Sequence, residues 1–188
     1  MMKTNDGFNY AYNAQAVVDE GSQVIIAAEI TQAAVDVNQL MPMIASTKEN
    51  LESIGTTTTP RVLLVDAGYC SKENLEEIAK ARINALIATG RLKHNERVPD
   101  APRGRIPNNA TDKERMARRL RTKQGRKDYA RRKAIVEPAF GQMKVKQHAG
   151  QLRLRGLAGA SGEWTPHAIC HNLRKLANSR QNAVIALA

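Results

Sequence analysis

The apolar run VLLV at residues 62–65 constrains the fold more than any other feature of the chain. Four consecutive apolar residues without alternation suit a short strand covered on both faces, because a strand with one wet face alternates apolar and polar side chains. Such a strand needs helices packed on its sheet, and the flanking sequence supplies them. Residues 38–54 place Leu40, Ile44, Leu51 and Ile54 at helical spacing, with Asp36 as the expected cap. On the other side, Ser71 and Asn74 open a helix whose apolar positions are Leu75, Ile78 and Ala79, and residues 83–88 return as a strand. Upstream, residues 9–18 and 22–31 read as the two arms of an antiparallel hairpin joined through Gly21. The order β-β-α-β-α-β implies an α/β fold, a mixed sheet flanked by helices.

At 188 residues the chain has room for one well-buried core, and with 42% hydrophobic but only 4% aromatic residues that core is aliphatic. No apolar run reaches the roughly 18–20 residues of a membrane span. The first ten residues hold no signal-type apolar segment. The expectation is a soluble, cytoplasmic protein with no membrane partner. Cys70 and Cys170 lie far apart and show no metal-ligand spacing to His94, His148, His167 or His171, so both are expected as free thiols.

The net charge of +11 is concentrated in one part of the chain. Residues 1–90 carry 6 Lys and Arg against 11 Asp and Glu, whereas residues 91–155 carry 20 against 6. A segregated basic block reads as a face for a polyanion, nucleic acid first. Within it, residues 90–110, with Pro99, Pro102 and Pro107, read as a long surface loop. From a cap at Thr111 the sequence is helix-forming through residue 147, with a break expected near Gly125 and a kink at Pro138. Ile169, Leu173 and Leu176 mark a terminal helix.

Two carboxylates stand out against this background. Asp66 falls where the buried strand ends, a position held by the sheet yet open at its edge, which suits a metal ligand or catalytic acid as well as a simple turn cap. Glu137 is the single acid in the basic stretch 129–144. On a helix Lys133, Glu137, Gly141 and Lys144 share one face, so an acid able to hold a cation would be flanked by ammonium groups able to hold phosphates. A surface ion pair between Lys133 and Glu137 is the simpler alternative.

The string YARRKAIVEPAFGQMK at 129–144 resembles the C-terminal acidic motif of DDE-type bacterial insertion-sequence transposases, Y-x-x-R-K-x-x-V-E-P-x-F-G-x-x-K. Tyr129, Arg132, Lys133, Val136, Glu137, Pro138, Phe140, Gly141 and Lys144 match it. YNAQAVVD at 12–19, VDAGYCSKENL at 65–75, LRGLAGASGEW at 154–164 and HNLRKL at 171–176 extend the resemblance in order along most of the chain. The resemblance implies an RNase H-like fold, a mixed sheet flanked by helices. It also implies three acids binding two divalent ions, Mg2+ or Mn2+, that cleave and rejoin double-stranded DNA at element ends. By motif, Asp66 corresponds to the second acid and Glu137 to the third, both catalytic and metal-binding. Tyr129, Arg132, Lys133 and Lys144 correspond to the residues that position DNA.

The family's first acid lies in an Asp-Gly-Thr-like strand upstream of the YNAQ hairpin, and this chain starts close to that hairpin. The expectations are a fold incomplete at its first strand and a first ligand outside the chain, with Asp6, Asp19 and Asp36 as alternatives within it. Residues 1–155 are expected to form the catalytic domain and 156–188 a helical extension packed on it. The chain would then be part of a longer transposase, able to associate with itself or with the full-length protein. The competing reading is a catalytically inactive DNA-binding remnant. A basic RNA-binding protein would explain residues 91–155 but gives Asp66 and Glu137 no role, and it lacks an aromatic platform.

Overall fold

The computed structural model describes residues 2–4, 7–56, 59–90 and 99–186. It divides into two compact units, each built from separated parts of the chain. The first comprises Met1–Ala34, Pro42–Thr56 and Lys133–Ala188, and the second Val35–Met41 and Thr57–Arg132. Asp6, His94 and the loop segment 91–98 lie outside the described residues.

In the first unit, strands β1 (Met2–Thr4) and β2 (Gly7–Asn9) pair antiparallel, as do β3 (Asn13–Val18) and β4 (Ile25–Thr31). The second pair is the hairpin expected from the sequence. Its register runs from Asn13 opposite Thr31 to Val18 opposite Ile25, with an irregularity between Val17 and Val18. The turn closes on Asp19, whose carboxylate accepts from the Ser22 backbone N–H and hydroxyl, both at 2.7 Å. Those two bonds hold the Asp19 carboxyl below its ordinary value, so its role is to tie the turn.

Helix α1 (Leu40–Ser53) follows a single 3-10 turn, Val37–Gln39. Asp36 stands at the cap position of that turn, but its side chain makes no capping bond, contrary to the sequence expectation. Met43, one turn after Leu40, is buried while Ile54 is 74% exposed, because the helix ends at Ser53 and Ile54 no longer follows its face. Helix α5 (Gly156–Ala186) packs on β4. Asn172 both donates to the Ile25 carbonyl and accepts from its N–H, each at 2.8 Å, as a neighbouring strand would. The core gathers Ile25, Ile30, Ala139, Met143, Ala149, Ala160, Trp164 and Ala168. Fully burying a side chain such as Met143 stabilises by about 1.5–3 kcal/mol.

In the second unit, β5 (Leu63–Val65) and β6 (Ala85–Ile87) pair in parallel, Val65 opposite Ile87. Helix α2 (Lys72–Lys80) connects them, capped by the Ser71 side chain, which accepts from the Asn74 N–H as the sequence implied. Leu75 and Ile78 turn inward, whereas Ala79 is exposed. All three residues of β6 and Val65 are buried. Among the described residues the three strand pairings, two antiparallel and one parallel, together with the helices make the fold mixed α/β, consistent with the RNase H-like expectation.

Helices α3 (Asp112–Arg121) and α4 (Lys123–Gly141) carry the basic block. The capping box at Thr111 and Glu114 starts α3. The break falls at Thr122 and not at Gly125, because the Thr122 hydroxyl accepts from the Gly125 N–H at 3.0 Å and so caps α4. Gly125 serves the elbow differently, since a Cβ there would overlap the Arg119 carbonyl oxygen. Pro138 does not end α4, which runs on to Gly141 and passes into a π-helical stretch, Gln142–Lys146. Proline has no N–H for the carbonyl of Ala134, and the Gln23 side-chain amide donates to that carbonyl instead, at 3.0 Å.

Candidate active site

Asp66 follows β5 directly and opens the 3-10 turn Ala67–Tyr69, its Oδ1 accepting from the Ala67 N–H at 2.7 Å. The side chain is exposed. Both sequence readings of Asp66 are therefore compatible with its geometry: one oxygen caps the turn and leaves the second for another partner. That second oxygen, Oδ2, lies 3.4 Å from Arg132 Nη1. The Arg132 guanidinium also stands 5.8 Å from the centre of the Tyr129 ring, and Tyr129 donates its hydroxyl to the Val65 carbonyl at 3.2 Å. Two expected DNA-contacting residues thus meet Asp66 in the second unit, where they hold the end of β5.

Tyr69 joins this cluster without having been singled out by sequence. Its phenol is pushed up to about 12, first by burial and then by the negative charges of Asp36 and Asp66. Asp36 rests against Gly68, where a Cβ would come 2.6 Å from its Oδ2. Asn74 secures the arrangement, its buried amide donating to the carbonyls of Val37 at 2.7 Å and Tyr69 at 2.8 Å. Of the aspartates named as alternatives for the first ligand, Asp36 lies beside the Asp66 turn and Asp19 is tied into its hairpin, while Asp6 lies outside the described residues. The sequence carried one usable sign of this: Asn74 is a polar residue on the apolar side of α2, beside Leu75 and Ile78.

In the first unit, Lys133, Glu137 and Gly141 lie exposed along one side of α4, while Ala139 on its other side and Met143 in the π-helical stretch after it are fully buried. Phe140 packs against Trp164, ring centres 6.0 Å apart. Lys144 lies in the π-helical stretch, and its ammonium sits 5.9 Å from the centre of the Phe140 ring. The shared face expected of an unbroken helix therefore holds for Lys133, Glu137 and Gly141, and is altered in pitch before Lys144.

Asp66 and Glu137 present hard oxygen donors, the chemistry that Mg2+ and Mn2+ select. Mg2+ is commonly held by one or two carboxylates, with water and substrate phosphate oxygens completing its octahedron. By donor type each acid on its own suits such an ion, and among the described residues no group of three or more His, Cys, Asp or Glu side chains is gathered to hold one. Cys70 and Cys170 are free thiols, as expected. No helix among the described residues is long and apolar enough to cross a membrane.

A family model described as transposase DDE domain matches residues 2–173. No curated protein and no solved structure matches the chain.

Proposed function

Because the chain belongs to the transposase DDE domain family, whose members act in DNA transposition and generally use divalent metal ions, we propose that Asp66 and Glu137 are metal-binding carboxylates. On this reading they serve cleavage and transfer of DNA strands at insertion-sequence ends. What assigns the two acids to one reaction is the family motif around each. The observation that carries the reading is the seat of Asp66, an exposed carboxylate fixed to a strand end by its own turn and flanked by Arg132 and Tyr129.

When bound, a divalent ion supplies Lewis-acid polarisation of the scissile phosphate and lowers the pKa of an attacking water. The chain's own residues do the rest. Asp66 and Glu137 offer the carboxylate oxygens. Arg132, still paired with Oδ2 of Asp66 through Nη1, offers its other guanidinium donors to a phosphate oxygen, a contact its planar fork suits. Tyr129 keeps the end of β5 in place throughout. Lys133, exposed beside Glu137, holds the DNA backbone by charge, and Lys144 does so from above Phe140. Residues 1–155 form the catalytic domain on this reading, with 156–188 its helical extension.

Nicking of supercoiled plasmid in Mg2+ or Mn2+ tests the proposal. Asp66→Asn and Glu137→Gln are each expected to slow nicking by at least about 100-fold, the scale of several kcal/mol of lost charge stabilisation. Unfolding midpoints should barely move, since both side chains are exposed. Variants that nick as fast as the parent overturn the assignment. A parent that binds DNA without nicking it would favour the catalytically inactive DNA-binding reading.

A further inference from the structure

The basic block is not one uniform surface. In the second unit, four arginines of α3 and α4 spend their guanidinium groups on backbone carbonyls. Arg115 donates to Ala110, Pro107 and Asn108, Arg118 to Gly104, and Arg119 to Ala85. Arg126 donates to Arg121 and Pro99 and pairs with Asp100 at 2.8 Å. The bonds of Arg115, Arg118 and Arg126 staple the proline-rich segment 99–110 onto the two helices, and Arg119 ties α3 to β6. Arg61 is engaged by Asp128 at 2.9 Å, and Arg132 by Asp66.

Lys123, Lys127 and Arg131 are set apart by their position. They are exposed at i, i+4 and i+8 on α4, so they rise along one side of the helix in steps of about 6 Å and span about 12 Å. The opposite side carries the buried Gly125 and Asp128 and the half-buried Tyr129 and Arg132. Asp128, the one acid between Lys123 and Arg132, is turned away to Arg61, which with Gln124 holds its carboxyl below the ordinary value. No carboxylate of α4 therefore interrupts the cationic side over this stretch. The Thr122 elbow fixes where it starts, because the absent side chain at Gly125 lets α4 approach the Arg119 carbonyl.

We infer that Lys123, Lys127 and Arg131 form a ladder that binds the phosphate backbone of duplex DNA without reading its sequence. A strand of B-DNA offers one phosphate per about 3.4 Å of helix axis, so a 12 Å row of cations meets three or four of them. No large hydrophobic residue is exposed on α4 between Lys123 and Arg132, and a membrane-surface helix needs such residues beside its cations. The inference deepens the DNA-processing reading and rests on it. It concerns residues distinct from the proposed metal ligands.

Fluorescence anisotropy of the full chain with a labelled duplex, in EDTA and over a series of salt concentrations, provides the test. Replacing Lys123, Lys127 and Arg131 together by Ala is expected to flatten the slope of log K against log salt by about 2.7, at 0.9 per phosphate contact. Over a fourfold rise in salt that is about a 40-fold difference in affinity lost. The single variants, each expected to remove about 0.9, decide the matter should the triple variant fold poorly. Arg115→Ala with Arg118→Ala should lower the unfolding midpoint and leave the slope alone. An unchanged slope in the ladder variants overturns the inference. So does an equal loss in the staple variant, or binding to phosphatidylserine vesicles that matches duplex binding and falls equally with the ladder. Because no divalent ion is present, the result is independent of whether Asp66 and Glu137 support cleavage.

Discussion

Pro138 should be tolerated in α4 because Gln23 makes the hydrogen bond that proline cannot, and this dependence is measurable. The Gln23 amide supplies the donor for the Ala134 carbonyl at 3.0 Å, and its Oε1 accepts from Lys175 Nζ at 2.6 Å. Gln23→Ala removes both bonds. Each is worth about 0.5–1.5 kcal/mol net, and since Ala134 is exposed, water recovers part of the first, leaving roughly 1 kcal/mol. Pro138→Ala restores a backbone N–H to the same carbonyl and relieves up to about 3 kcal/mol of proline penalty. In that background Gln23→Ala forfeits chiefly the Lys175 bond. The two substitutions should therefore couple by about 1 kcal/mol, the loss at residue 23 being smaller when 138 is Ala. The Lys175 bond and the left-handed backbone at residue 23, φ +57°, are common to both arms and cancel. Urea unfolding of the four proteins measures the coupling, read by the single tryptophan, Trp164, which is 2% exposed in the core that holds Ala139 and Met143. With slopes of about 1–3 kcal/mol per molar urea, 1 kcal/mol moves a midpoint by roughly 0.3–1 M. Stabilities that add within about 0.3 kcal/mol would refute the reasoning.

Gly125→Ala should destabilise the chain even though Ala favours a helix by about 1 kcal/mol over Gly, because a backbone carbonyl cannot swing aside from the new Cβ and overpacking costs about 1–3 kcal/mol. An equal or higher urea midpoint would contradict the close approach of α4 to the Arg119 carbonyl. Asp36→Asn should lower the Tyr69 phenol from about 12 toward 10 without reaching it, since burial is the leading cause and Asp66 remains. A phenolate absorbance titration reads this shift, and an unchanged curve would refute the placement of Asp36. The sign for stability follows: a phenol raised on folding stabilises fully below pH 10, and its contribution is lost as pH rises through 12.

The local elements were legible in the sequence where one physical signal dominated. The VLLV run gave a strand, buried at Val65 but only half-buried at Leu63 and Leu64, Ser71 gave a helix cap, and the Gly21 region gave a hairpin, because burial, capping and turn chemistry are all read within a few residues. The family was legible through the motifs around Asp66 and Glu137. What could not be read depended on partners distant in sequence. Gln23 lies 111 residues from Ala134, so nothing near Pro138 indicated that its helix would continue. Asp36 reaches Gly68 only because Asn74 ties Val37 to the same turn, a bond across 37 residues. The roles of Arg115, Arg118 and Arg119 were hidden for the same reason, since composition counts a guanidinium whether it meets a carbonyl or solvent.

The spacing Y-x-x-R acquires a physical meaning from these contacts. Residues three apart on a helix lie on one face, and here that face meets two consecutive residues of the strand end: Tyr129 bonds the Val65 carbonyl and Arg132 pairs with the Asp66 carboxylate. A helix that offered only one of them would leave the strand end free to turn about a single contact. Two contacts fix both the position and the direction in which Asp66 points. Lys133, one residue further, is rotated by about 100° from Arg132 and takes its place on the exposed side with Glu137 instead. The adjacent Arg and Lys of the motif are thus not two copies of one charge. Arg132 pairs with Asp66 and Lys133 lies on the side of Glu137, so on the proposed reading exchanging their identities should perturb Asp66 and slow plasmid nicking while leaving the total charge of the block unchanged.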